Sequence, residues 1–218
     1  MTDPSGSDKP RRPVVVPALA LLAVTALGIT SLLGGLNEAP DAPPGLGKGA
    51  LLDQGRYSTR FVGSRVRVEP ATSQLGEDRR FVELVFEVTN RGDETTPVGL
   101  PPSRPEHAAF GATFASSLVK ISPAFPPDSG PFVFAVAKGG ETGQLHPGVR
   151  STVIVRYRLK DGEQPPDKVT LDVSEFEYTA GFNDTSERWQ KVTAEEDGKL
   201  VPEIKARVTL PVEGGASA

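Results

Sequence analysis

The sequence contains no cysteine, two histidines and a single tryptophan among its 218 residues. The lack of cysteine excludes disulfide bonds, a lipid-modified cysteine anchor and thiolate metal ligands, so a folded domain in this chain must be held by its core alone. The two histidines, His107 and His146, lie in separate proline-rich stretches. Their spacing supports no metal site, and we expect neither a metal nor another cofactor.

Motifs of catalysis are also missing. The chain has no Gly-x-Ser-x-Gly elbow to activate Ser116 or Ser117, no phosphate-binding glycine loop and no dinucleotide fingerprint. The run Glu195-Glu196-Asp197 precedes Gly198, which is typical of a solvated turn rather than of a glycosidase carboxylate pair. We therefore predict that the protein is not an enzyme. The formal net charge of −4 gives no reason to expect nucleic acid as a partner.

One long hydrophobic run is present, because residues 14–36 contain no charged side chain. At about 1.5 Å per residue, this helix would span about 35 Å, slightly more than the roughly 30 Å hydrocarbon core of a bilayer. Arg11 and Arg12 precede the run directly. The positive-inside rule then predicts a single-pass membrane protein, with a cytoplasmic tail over residues 1–13 and the rest of the chain outside the cytoplasm.

Two further hypotheses concern the same segment. A cleaved signal peptide would release the domain, although signal peptides usually have apolar regions of only about 7–15 residues, and we favour a retained anchor. The small residues Ala26, Thr30 and Gly34 recur at every fourth position. Because this spacing lets membrane helices approach closely, self-association through the transmembrane helix is a second hypothesis.

Residues 37–50 are rich in proline and glycine, which predicts a linker. Residues 51–212 then show alternation of apolar and polar side chains, as a half-buried strand requires, and residues 213–218 form a predicted flexible tail. The predicted strands cover residues 57–62, 64–69, 81–89, 118–122, 132–137, 152–160, 169–174, 175–179 and 204–210. Glycine-containing turns separate many of them, so we predict an all-β domain built as an antiparallel sandwich.

Two segments carry a resemblance to a known family. They are FVELVFEVTNRG over residues 81–92, and LHPGV over residues 145–149, which leads into the strand around residues 153–159. The region from Gly55 to Leu159 resembles the immunoglobulin-like extracytoplasmic domains of unknown function in actinobacterial and other Gram-positive membrane proteins and lipoproteins. The resemblance implies an immunoglobulin-like β-sandwich outside the cell and no known catalytic residue. This chain departs from the lipoprotein version by lacking a cysteine.

Two groups of residues are candidates for a binding surface. Phe182, Asn183 and Trp189 combine aromatic rings with an amide, as in many sites for sugars or partner proteins, although we favour core packing for Trp189. Arg65 and Arg67 share one face of a predicted strand. They would form a basic patch toward anionic lipid or wall polymer, unless they pair across strands with the acidic later part of the chain.

These patterns together predict a membrane-anchored, non-enzymatic, extracytoplasmic module that binds another envelope protein, for example as an accessory subunit of a membrane complex. The alternative is a carbohydrate- or wall-polymer-binding domain that uses Phe182 and Trp189. A hydrolase whose site is not recognisable in the sequence is the second alternative.

Overall fold

The computed structural model describes residues 42–71, 73, 76–137, 139–180 and 186–214. The predicted transmembrane helix over residues 14–36 lies outside this set, together with Arg11, Arg12, Phe182 and Asn183. Within the described ranges, no helix combines the length and the apolar character needed to cross a bilayer.

The described part of the chain is mostly β-structure, as the alternating pattern predicts. The strands are β1 (Gly45–Leu46), β2 (Leu51–Asp53), β3 (Tyr57–Glu69), β4 (Arg79–Asn90), β5 (Thr96–Pro97), β6 (Leu118–Ser122), β7 (Phe132–Ala137), β8 (Gly140–Thr142), β9 (Gln144–Leu145), β10 (Arg150–Leu159), β11 (Lys168–Ser174), β12 (Phe176–Ala180), β13 (Glu187–Lys191), β14 (Thr193–Glu196), β15 (Lys199–Pro202) and β16 (Ile204–Glu213). Helical turns are limited, among these residues, to the single-turn segments Pro105–His107, Ala115–Ser117 and Pro127–Ser129.

The main sheet has the order β6-β11-β16-β3-β4-β10-β7-β8, with β1 added to β16 and β2 added to β3. Most neighbours pair antiparallel, whereas β1 and β3 each pair parallel with β16. Strand β16 joins two halves, because it pairs with β11 along most of its length and then with Ser64 and Arg65 of β3 through its last two residues. The remaining strands form the three ribbons β12–β13, β14–β15 and β5–β9.

The core lies between the two halves of this sheet, in a sandwich-like arrangement. Each strand contributes alternate residues, since side chains on a strand point to opposite faces. The buried members include Val82, Leu84, Phe86 and Val88 of β4, Val153, Val155, Tyr157 and Leu159 of β10, Val169, Leu171 and Val173 of β11, and Ala206, Val208 and Leu210 of β16. At one end, the loop residue Phe114 closes the core by edge-to-face contacts with Tyr57 and Phe86, at ring-centre distances of 6.1 and 5.4 Å.

The structure confirms the predicted strands over residues 118–122 and 132–137, which coincide with β6 and β7. The predicted strands over residues 57–62 and 64–69 are one strand, β3. Its pairing with β4 shifts register between Phe61 and Gly63. This bulge interrupts the alternation of apolar and polar side chains, which is why the sequence predicts two separate strands.

The start of the fold differs from the predicted linker boundary at residue 50. A compact unit begins at Pro43, and the carbonyl of Pro44 accepts a hydrogen bond of 2.9 Å from the amide of Arg207. The amide of Gly49 donates to the carbonyl of Phe61, and the amide of Phe61 donates to Ala50. Backbone groups thus attach this segment to the sheet. The sequence does not predict the attachment, because a segment rich in proline and glycine has no alternating pattern of side chains.

The attachment leads to a prediction about truncation. A variant that begins at Leu51 loses all three of these backbone bonds, each of which contributes about 1 kcal/mol to stability. We therefore expect its free energy of unfolding, measured by urea denaturation, to be about 3 kcal/mol below that of a variant that begins at Ala42. A control that begins at Pro43 should match the longer variant. Equal denaturation midpoints for the Leu51 and Ala42 variants would show that β1 does not belong to the cooperative fold.

Candidate functional site

A groove with a volume of about 320 Å³ lies at the end of the sheet where β3 begins and β4 ends. One wall is the backbone and side chains of residues 109–112, and the other is residues 189–191 of β13. Thr193 and Leu200, from the β14–β15 ribbon, complete the lining. The groove therefore brings together one irregular loop and two ribbons that are far from that loop in sequence.

Trp189, a residue proposed from sequence as part of a binding surface, lines this groove. It is partly buried and packs against the core, and Tyr178 lies opposite it in the β12–β13 pairing, with ring centres 5.4 Å apart. A Cβ atom at Gly92 would lie 3.3 Å from the indole Nε1, and one at Gly55 would lie 3.4 Å from its Cζ3. The indole thus rests on two glycine-containing turns, so Trp189 packs against the core and also lines the groove.

Two exposed apolar side chains flank the tryptophan. Phe110 is 64% exposed and Leu200 is 57% exposed, which is unusual for large apolar residues that share one concave surface. Neither was singled out from sequence. Phe110 lies in an irregular loop and Leu200 beside a charged turn, so neither belongs to the apolar alternation that identifies a strand.

Lys191 lies beneath the groove and connects its two walls. Its Nζ donates hydrogen bonds of 2.6 Å to the carbonyls of Ala108 and Ser116, with a longer contact of 3.4 Å to the carbonyl of Phe110. Burial lowers the pKa of Lys191 to about 8, because the charged form loses its hydration. An ammonium group offers three donors, so three carbonyls can satisfy it without a carboxylate.

A second set of bonds holds the loop wall at Ala112. Its carbonyl accepts hydrogen bonds from the hydroxyl of Tyr57 at 3.0 Å and from Nη1 of Arg56 at 2.9 Å. Burial raises the pKa of Tyr57, so its hydroxyl remains a donor at neutral pH. The wall is therefore fixed to the sheet before any ligand arrives.

Among the other predicted site residues, the two arginines of β3 fall within the described ranges, and they lie apart from this groove. Arg65 and Arg67 lie on β3 eight and ten residues beyond Tyr57, which corresponds to about 25 Å or more along the strand. They lie 2.9 and 3.8 Å from the carboxylate of Glu83, which is 1% exposed on the neighbouring strand. Both arginines thus pair across strands, and their partner is Glu83 rather than an acidic residue of the later chain.

Ser116, Ser117 and His146, which were considered from sequence, have side chains that make contacts within the fold. Ser117 Oγ donates to the carbonyl of Phe114, and Ser116 Oγ donates to the carbonyl of Thr113 at 2.7 Å. His146 Nδ1 lies 2.9 Å from Thr95 Oγ1. In the part of the chain that the structure describes, no group of three or more histidine, cysteine, aspartate or glutamate residues is placed to hold a metal ion.

Comparison of this chain with known protein families, with curated proteins and with solved structures finds no match.

A matched pair of glycine substitutions tests the packing beneath Trp189. Gly55 and Gly162 have nearly the same positive φ, 76° and 75°, so an alanine at either position carries a similar backbone strain of about 1 kcal/mol. Only at Gly55 would the added Cβ collide, at 2.1 Å from the carbonyl oxygen of Phe176. We expect Gly55→Ala to lower the free energy of unfolding by at least about 3 kcal/mol and Gly162→Ala by about 1 kcal/mol, as measured by urea denaturation. Equal losses would contradict the close approach of these turns.

The lowered pKa of Lys191 predicts a pH dependence of stability. Because the pKa is about 8 in the folded chain and 10.5 for the free side chain, the unfolded chain binds more protons above pH 8. The free energy of unfolding therefore gains a contribution from Lys191 that rises with pH from about 8. We expect the stability advantage of the wild type over Lys191→Met to grow by about 1–2 kcal/mol between pH 7 and pH 9.5.

The measurement compares urea denaturation of the two proteins at each pH, so that contributions from other groups cancel. Lys168→Met serves as the control, because Lys168 is exposed at the start of β11. Its difference from the wild type should stay constant over the same range. A constant difference for Lys191→Met as well would mean that burial does not lower the pKa of Lys191 in the folded protein.

Proposed function

We propose that the protein is a membrane-anchored extracytoplasmic module that binds another envelope protein through the groove at Phe110, Trp189 and Leu200. The observation that carries this proposal is the pair of exposed apolar side chains on either side of a partly buried tryptophan. Anchoring residues of protein interfaces are enriched in tryptophan and cluster in such desolvated depressions. The same surface in water would expose apolar area with no compensating contact.

The rigidity of the walls supports the same proposal. Lys191 ties the loop to β13, and Tyr57 ties it to the main sheet. A surface whose backbone is fixed in advance loses little conformational entropy when a partner binds, so more of the contact energy appears as affinity. A groove formed by an unattached loop would lose that advantage.

The predicted anchor limits where such a partner lies. The apolar run ends at residue 36 and the fold begins at Pro43, so six residues connect them. Six extended residues reach about 20 Å, which is less than half of the roughly 45 Å that the longer predicted linker would allow. The proposed partner is therefore exposed close to the outer membrane face, as the extracytoplasmic part of an integral membrane protein would be.

An immunoglobulin-like topology is part of the proposal. The two facing halves, the mainly antiparallel pairing and the strand exit at Asn90 support it. At that exit, Asn90 Nδ2 donates to the carbonyls of Glu94 and Leu145, and its Oδ1 accepts from the amide of Gly92 at 3.0 Å. The Asn-x-Gly segment on which the family resemblance rests thus fixes the turn that follows β4.

Carbohydrate or wall-polymer binding is the second candidate. The observation in its favour is the ring pair of Trp189 with Tyr178, since Tyr178 is 53% exposed and aromatic faces stack on sugar rings. Against it, the amide nitrogen of Gln190 is already directed to the carbonyls of Thr179 and Ala180, and the loop wall presents mainly alkyl groups and glycine. Protein binding therefore accounts for more of the lining.

The proposal is tested by exposed substitutions in the full-length chain. Phe110→Ser and Leu200→Ser remove groove contacts, while Val68→Ser removes a comparably exposed side chain, 52% accessible, on the distant part of β3. After chemical crosslinking in intact cells, we expect the wild type and Val68→Ser to retain one identified membrane protein. Each groove variant should retain about tenfold less of it, as the loss of an interface anchor predicts.

Two results would contradict protein binding through this groove. One is equal recovery of the partner with all four proteins. The other is a change of Trp189 fluorescence on adding purified wall fragments, abolished by Tyr178→Ser, together with no captured protein. That second result would instead establish polymer binding.

A further inference from the structure

The rim of the groove is acidic. Glu195 lies directly opposite Leu200 in the β14–β15 pairing, so the two side chains share one face of that ribbon. Glu187 precedes Trp189 by two positions on β13, and it therefore shares the face of the tryptophan. Both glutamates are exposed. Trp189 and Leu200 thus each have a carboxylate beside them, on the side of the groove opposite Phe110.

Neither of these two carboxylates has an ion-pair partner among the residues that the structure describes. Among the described residues, no lysine or arginine nitrogen lies within 4.0 Å of either one. Lys191 lines the groove, but three backbone carbonyls already surround its ammonium group, and the Arg56 guanidinium is bonded to the carbonyl of Ala112. Lys199 lies opposite Glu196, on the other face of the β14–β15 ribbon. Negative charge without an ion-pair partner in the described part of the chain therefore lies beside Trp189 and Leu200, at the edge of an apolar depression.

We infer that the groove receives a segment of the partner protein in which a large apolar side chain is flanked by lysine or arginine. This inference rests on the proposed function and specifies its ligand. The apolar side chain fills the space between Phe110, Trp189 and Leu200, and the flanking cations meet Glu187 and Glu195. Opposite charges at the rim of an interface mainly set specificity and association rate, and like charges there are repelled.

The same charge pattern discriminates against other occupants of the groove. An anionic lipid surface or an anionic wall polymer would place negative charge beside the two glutamates, and the repulsion would weaken its binding. A neutral apolar segment would leave both carboxylates partly desolvated and unpaired, which costs free energy. A segment that carries both apolar and basic side chains avoids each of these costs.

The test uses the full-length chain in the cells that naturally produce it, with Phe110 replaced by the photo-crosslinking residue p-benzoylphenylalanine. The adduct is digested and the captured segment is sequenced by mass spectrometry. We expect one protein segment that contains an apolar residue with lysine or arginine within two positions of it. Glu187→Gln and Glu195→Gln, made separately, should each lower the adduct yield about two- to fivefold.

Glu141→Gln is the matched control, because Glu141 is an exposed glutamate on β8, at the other edge of the sheet. Its adduct yield should equal that of the unsubstituted chain. A captured segment without a basic residue, or yields that neither groove substitution changes, would overturn the basic ligand and leave protein binding intact. No protein adduct at all, or an adduct with lipid or glycan, would overturn the proposed function together with this inference.

Discussion

The contact between the two halves of the sheet is the interaction on which every other part of this fold depends. Strands β4 and β10 direct alternate apolar side chains toward those of β11 and β16, and the largest buried rings belong to this one cluster. Full burial of each such side chain contributes about 1.5–3 kcal/mol. With no cysteine in the chain, no covalent link restricts the unfolded state, so this burial must offset the conformational entropy of folding by itself.

Hydrogen bonds between buried polar groups hold the fold together at the end of the apolar core. Near the groove, the buried amide of Gln54 donates to Ser117 Oγ at 2.8 Å and to the carbonyl of Ser174 at 2.9 Å, while Thr59 Oγ1 donates to its oxygen at 2.6 Å. Lys191 likewise connects separate segments, because its ammonium group contacts three backbone carbonyls. Buried polar groups of this kind are stable only when they are fully bonded, and a bonded set fixes one geometry. The shape of the groove is thus a consequence of satisfying buried polar atoms.

Elements held by local interactions can be predicted from this sequence, whereas elements that depend on distant contacts cannot. Strands β6 and β7 could be predicted because their alternation is local. The β14–β15 ribbon could not, since its two four-residue strands show no alternation of apolar and polar side chains and its pairing depends on Asp197 and Gly198, which both adopt positive φ in the turn. Trp189 was identified from its residue type, but Phe110 and Leu200 become neighbours only in the folded chain. No sequence signal marks Lys191 as buried, because its partners are backbone carbonyls.

The outer face of the sheet is a less suitable candidate for a binding surface than the groove. Arg65 and Arg67 look like a basic patch in the sequence, yet both lie against the carboxylate of Glu83, which is almost fully buried. An anionic ligand that drew these arginines away would leave that carboxylate buried and unpaired, which costs several kcal/mol. A ligand of the groove would not have to break an ion pair of this kind. The ammonium group of Lys191 is bonded to backbone carbonyls beneath the surface, while the carboxylates and apolar side chains at the groove are exposed. Binding there adds interactions without first breaking any that hold the fold.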